Sequence, residues 1–314
     1  MKSDFMQCWG RTARVTMTAV FMSAATLAFA QPTNLTVKHV QGETTIAANP
    51  EKTVVFDLAS LDTLDALGIE ATAVPETLLP DFLERYKQSS YPKVGTLFEP
   101  DYEAVHALSP DLIIVGGRSA PKQRDLSRIA PTIDLTVDPA TLIDSVVSNT
   151  HTLASIYQKE DQADRLLKEL DESIKALQQK AGKAGSGLVV LTVGGKMSAY
   201  GPGSRFGVIH DGFGVPPAVE GLATSNHGQA ISFEFIYENN PDWLFVIDRD
   251  AAIGREGTPA RKLLDNELMH KTAAWKKNHI VYLDSMNWYL LGGAGLTSLQ
   301  QNVNEISKAL DGKS

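Results

Sequence analysis

Apolar positions along the chain switch between two periods, and the switches mark its elements. Leu35 to Ile46 alternates apolar and polar residues about Gln41-Gly42, which predicts an opening hairpin. From Val54-Val55-Phe56 the pattern becomes a short apolar run, followed by Leu58, Leu61, Leu64 and Leu67 at helical spacing and closed by Gly68 as a C-terminal cap. Ile133 to Val137 reads as another strand, and Asp138-Pro139 marks a boundary. Two helical stretches follow, Thr141 to Tyr157 and Glu160 to Lys180. In the second, Ala163, Leu166, Leu167, Leu170, Ile174 and Leu177 share one face. That stretch is roughly 30 Å long, about the diameter of a small domain. It reads either as a rod bridging two lobes or as a surface helix of the second lobe. A rod would resist hinge bending, so a cleft beside it would close only slightly. After the joint Gly182 to Gly187 come a buried strand at Leu188 to Val193, a helical stretch from Ala260 to Lys276 and a strand at Ile280 to Leu283. A last helix has Leu296, Leu299, Val303, Ile306 and Leu310 on its core face. The whole predicts an α/β protein of two Rossmann-like lobes joined by a long helix, with a ligand cleft between the lobes. The N-terminal lobe covers 31–140, the helical connector 141–183 and the C-terminal lobe 184–314.

One unit occurs twice. Residues 101–118 read DYEAVHALSPDLIIVGGR and residues 232–249 read SFEFIYENNPDWLFVIDR, and Arg249 follows Arg118 by 131 positions. In each copy a Glu opens a short helix, Pro-Asp stops it, and an apolar run reads as a buried parallel strand with an Arg just beyond its C-terminal end. Ligands of open α/β sheets sit outside the carboxyl ends of strands. Two such arginines would therefore face one another across a cleft, unless the match is a coincidence of two ordinary units with solvated side chains.

Composition narrows the classes. Residues 1–30 carry Lys2, Arg11 and Arg14, the apolar run Val15 to Leu27, and Ala28-Phe29-Ala30 before Gln31, the layout of a cleavable secretory leader. The run is shorter than a membrane span requires. The single cysteine, Cys8, lies upstream of that run, so it cannot serve as a lipid-bearing first residue of the processed chain. A free periplasmic protein without disulfides is expected. The net charge is −8; Lys2, Arg11, Arg14 and Asp4 give the leader +2, so the remainder carries −10. That argues against nucleic acid or anionic membrane as partners. It leaves room for an anionic small ligand held by a few local arginines.

Signatures of catalysis are missing: no Gly-x-Ser-x-Gly elbow, no Walker loop, no His-Glu-x-x-His and no thiol in the processed chain. Gly292-Gly293-Ala294-Gly295 reads as a tight turn. The seven histidines show no paired zinc spacing. His227, in the polar loop Thr224 to Gly228, is either a solvated loop residue or one that points into a cleft. Trp288 and Tyr289 follow the strand Ile280 to Leu283 on the same rim as Arg249, as core contacts or as a flat wall with a phenol. Arg205 sits in a Gly-Pro-Gly-Ser loop before an expected helix start, where backbone N–H groups favour anions. Arginine remains charged at any physiological pH and binds planar oxygen pairs bidentately. One charge pair about 6 Å apart at an effective dielectric near 20 is worth on the order of 3 kcal/mol.

With these features assembled, nearly the full processed chain resembles the periplasmic siderophore-binding proteins of ABC importers, class III substrate-binding proteins, and among them the ferric-catecholate branch. The resemblance implies an arginine triad at Arg118, Arg205 and Arg249 that grips the anionic chelate, flanked by Trp288, Tyr289 and His227. It implies that His227 and Tyr289 complete the Fe(III) shell of tetradentate complexes and stand behind the ligand in hexadentate ones. It assigns Glu103 and Glu234 to docking on the inner-membrane permease; both also suit helix starts through the macrodipole. The expectation is a monomeric carrier and not an enzyme, with no intrinsic cofactor, since the ligand brings the iron. The rival readings are a same-fold carrier of haem, cobalamin or a hydroxamate siderophore, and an exported hydrolase using Asp248 or His227.

Overall fold

A computed structural model describes residues 34–312, so the expected leader and Cys8 lie outside the described residues. Strands β1 (Asn34–His39) and β2 (Gly42–Ala47) form the antiparallel hairpin, with Leu35 opposite Ile46. Three parallel strands, β3 (Thr53–Val55), β4 (Leu112–Val115) and β5 (Thr132–Asp134), make the first sheet, in the order β3-β4-β5. Its central strand is an unbroken apolar run, yet its side chains divide by period two. Leu112 and Ile114 enter one core cluster and Ile113 and Val115 another. A strand buried on both faces has no polar side to show, which is why the sequence shows no alternation there.

Helix α1 (Leu58–Ala66) follows β3 and is N-capped by Asp57, whose Oδ2 accepts from the backbone N–H of Ser60 at 2.8 Å. Helix α2 (Tyr102–Leu108) precedes β4. After β5, helices α3 (Leu142–Tyr157) and α4 (Glu160–Ala181) form an antiparallel pair turned at Gln158, which has φ 56°. Both reach two cores. Leu142 and Val146 of α3 pack with the second lobe, and Leu153 and Ile156 with the first. Ala163 of α4 packs with the first and Leu170, Ile174 and Leu177 with the second.

The second sheet is mixed. β6 (Gly187–Val193), β7 (Lys196–Tyr200), β8 (Gln229–Ile231), β9 (Trp243–Asp248) and β10 (Ile280–Tyr282) lie in the order β10-β9-β6-β7-β8. The pairs of β9 with β10 and with β6 are parallel, and those of β7 with β6 and β8 antiparallel. Helix α5 (Phe233–Asn239) precedes β9, and α6 (Leu296–Leu310) closes the chain. The continuous helix expected over Ala260 to Lys276 is a correction: it forms as separate single turns at Ala260–Leu263, Met269–Lys271 and Ala273–Lys276. Asn266 breaks it, because its side-chain oxygen accepts from the backbone of Leu268 and Met269, both at 3.1 Å, competing with helical hydrogen bonds.

The two copies of the repeated unit fold alike. Asp101 caps α2 through Ala104 N and Ser232 caps α5 through Phe235 N. Each helix ends on a left-handed residue, Ser109 at φ 48° or Asn240 at φ 43°. The aspartate of each Pro-Asp then ties down the neighbouring strand's entrance. Asp111 Oδ2 accepts from Glu51 N (3.1 Å) and Lys52 N (2.9 Å), and Asp242 Oδ2 accepts from Ser186 N at 3.1 Å.

Candidate ligand-binding cleft

Both arginines of the repeat stand at the carboxyl ends of their strands. Arg118 follows β4 after Gly116-Gly117, and Arg249 follows β9 directly. They line one cavity of about 790 Å³ between the lobes, together with Arg205, Tyr200, Asn226, His227, Tyr289, Asp57 and Phe98.

Tyr289 is the hub. It lies on a widened helical turn, Met286–Leu290, with the i→i+5 form that recurs at functional sites. Arg249 Nε donates to its hydroxyl at 2.6 Å. Arg205 Nη2 donates to its carbonyl at 2.8 Å, and Arg118 Nη2 does so at 3.1 Å, while Arg118 Nη1 reaches Leu290 O at 2.9 Å. The three guanidinium carbons stand 4.3 Å (Arg205), 5.6 Å (Arg249) and 5.9 Å (Arg118) from the phenol ring centre.

The electrostatics follow from this crowding. Burial, and then the like charge of Arg205, push the Arg118 guanidinium below its ordinary value. Burial alone would push the Tyr289 phenol up, but the Arg249 hydrogen bond and the charge of Arg205 outweigh it and set the phenol below 10.0. Asp57, beside Gly116 where a Cβ would meet its Cγ at 2.7 Å, is pushed up by burial against its Ser60 hydrogen bonds and the Arg118 charge. The arrangement holds cations at mutual cost, and an arriving anion relieves that cost.

His227 is exposed on the second lobe's side of the cavity. Its loop is fixed by Gly228 at φ 68°, where any Cβ would meet Ala199 O at 2.7 Å and the Tyr200 ring at 2.8 Å. Trp288 is a correction. It is 1% exposed, packs edge-on to Phe213 at 6.2 Å and donates its indole N–H to Glu305 Oε2 at 2.8 Å, so it belongs to the core and not the cavity wall. Tyr289, next in sequence, is partly buried against the same core but lines the cavity. The Asp248 carboxylate accepts from Ala251 N (3.2 Å) and Ala260 N (2.8 Å), a capping role that accounts for both of its oxygens. Among the described residues no three His, Cys, Asp or Glu side chains gather as a metal site, and no helix is long and apolar enough to cross a membrane.

Sequence reasoning missed Asp57 and Phe98. Asp57 had a signal, since it precedes a helix at the end of a strand. Phe98 had none, because its place depends on a turn folding over the cavity.

The family model described as periplasmic binding protein matches residues 54–286. The chain belongs to that family. It is 43% identical to the petrobactin-binding protein YclQ of Bacillus subtilis, over 88% of each chain. The crystal structure of YclQ superposes with a TM-score of 0.86, covering 89% of this chain and 99% of that one. The ferric-anguibactin-binding protein FatB of Vibrio anguillarum is 32% identical over 94% of each chain. The periplasmic catecholate-siderophore-binding protein VctP of Vibrio cholerae is 33% identical, with a TM-score of 0.83 over 87% of this chain and 99% of its own.

Proposed function

We propose that the protein is a periplasmic carrier that captures a ferric catecholate siderophore and delivers it to an ABC-type permease, exported by the leader over residues 1–30 without a lipid anchor. The observation that carries this reading is the convergence of Arg118, Arg205 and Arg249, from both lobes, on one cavity around the Tyr289 phenol. A catecholate chelate of Fe(III) is anionic, aromatic and compact, and each property has a counterpart in the lining. The names of YclQ, FatB and VctP, all binders of siderophores, support the same class.

The iron is cargo. A tetradentate chelate leaves two positions of six-coordinate Fe(III), and phenolate oxygen and imidazole nitrogen suit it. Tyr289, with its lowered pKa, supplies the phenolate, and His227 on the facing loop supplies the nitrogen. A hexadentate chelate leaves both as polar neighbours. Glu103 and Glu234, exposed in the first turns of α2 and α5, are the surface acids that dock on the permease. No chemistry on the ligand is proposed.

A neutral hydroxamate chelate would gain little from three guanidinium groups. Titrating intrinsic fluorescence with the ferric complexes of a bis-catecholamide and of a neutral trihydroxamate separates the readings. The catecholate should saturate at lower concentration, and Arg205→Ala should weaken it by about 1 to 3 kcal/mol. Equal quenching by both complexes would overturn the assignment.

A further inference from the structure

Among the described residues, four large apolar side chains remain exposed: Val40, Leu78, Phe98 and Tyr237. Only Phe98, 59% exposed, also lines the cavity that holds the arginines. Its position is enforced by the backbone. Gly95, at φ 97°, has the carbonyl of Glu99 and the amide of Asp101 where a Cβ would stand, so the chain must double back there. Thr96 closes the turn, its N–H donating to Glu99 O at 2.9 Å, while its hydroxyl accepts from Phe98 N (3.3 Å) and Glu99 N (3.1 Å). Lys122 pins Glu99 at 2.8 Å, and Leu97 anchors the turn in the first lobe's core at 6% exposure. A flexible loop would fold such a phenyl ring away from water; this turn is braced in a form that keeps it out.

We propose that Phe98 is the first lobe's contact to the aromatic chelating rings of the ligand, a specificity-determining residue that favours aryl over non-aromatic iron chelates. The inference rests on the carrier reading above. A catechol ring brought to the cavity covers Phe98 edge-on or offset, the geometries that aromatic pairs prefer. Phe98 stands on the first lobe and His227 on the second, and both line the same cavity as Tyr289. The arginines read charge; Phe98 reads the flat apolar surface that a charged but non-aromatic chelate lacks.

The test uses the full processed protein and the ferric complex of a synthetic bis-catecholamide, with affinity followed by fluorescence and uptake by radiolabelled iron. Phe98→Ala should weaken binding about tenfold, Phe98→Leu by an intermediate factor, and Phe98→Tyr should remain near the parent. An exposed side chain on a turn closed by other residues leaves the unfolding midpoint unchanged, which circular dichroism checks. Parent-like affinity of Phe98→Ala overturns the inference, as does parent-like affinity with lost uptake, which would place Phe98 on the permease instead. An Ala variant no weaker than the Leu variant also overturns it. Failure of the parent protein to bind the complex at all sinks the carrier reading itself and is thereby told apart from failure of the Phe98 assignment.

Discussion

Three guanidinium groups around one phenol leave a titration signature. Tyr289 is held below 10.0 once the Arg249 hydrogen bond and the Arg205 charge outweigh its burial, whereas Tyr86, Tyr200 and Tyr282 are pushed up by burial and Tyr157 rises to about 12. A lowered value means that the folded protein favours the phenolate. As pH rises, Tyr289 should therefore add an early step to the phenolate absorbance, below 10.0, that Tyr289→Phe abolishes. Arg249→Ala, which removes the bond at 2.6 Å, should move that step upward. A first step that survives Tyr289→Phe would refute this. Arg118 and Arg249 were legible in the sequence because strand-end positions can be read from a repeat, whereas Arg205 lies in a loop outside it. Trp288 was misplaced because adjacency in sequence suggested a shared face, whereas it packs on Phe213 and bonds Glu305 and only Tyr289 lines the cavity.

At the scale of elements, the short buried strands and their helices were readable from apolar runs and caps, and the antiparallel strands β7 and β8 were not. Met197, Ala199 and Tyr200 alternate only weakly, and Gln229–Ile231 is three residues long; pairing of β7 with β6, and of β8 with β7, makes them strands. The Gly292–Gly295 turn has a reason that only the fold discloses. Asp62 of α1, wholly buried, accepts from Thr297 N at 2.9 Å and Ser298 N at 2.8 Å, so a residue of the first lobe's core caps the last helix, which packs in the second. A Cβ at Gly295 would collide with that carboxylate. Asp62→Ala leaves two helix N–H groups unmet in a dry site and should destabilise the protein by about 1 to 3 kcal/mol, with Asp62→Asn losing less. Denaturant midpoints measure this. Equal midpoints for Asp62→Ala and the parent would remove the cap's importance.

For the whole molecule, two helices and a capped third join the lobes, and Arg118 reaches carbonyls on the widened turn before α6. Such bracing favours small closure on the ligand, so the spacing of Glu103 and Glu234, one on each copy of the repeated unit, is set largely by the fold. Reversing both to Arg should leave the affinity for a ferric bis-catecholamide intact and stop iron uptake in cells. Weakened binding would show that these acids act on the ligand and not on the permease. By itself the sequence determined the α/β class, the repeat with an arginine closing each copy, and the two long helices between the lobes, because these are written in local periodicity and in spacing along the chain. Tertiary structure alone decided that the arginines share Tyr289, that Trp288 turns inward, that Phe98 stands on the cavity's lip and that Asp62 caps a helix more than two hundred residues away. Those outcomes depend on side-chain direction and on contacts between distant segments, which no local pattern encodes.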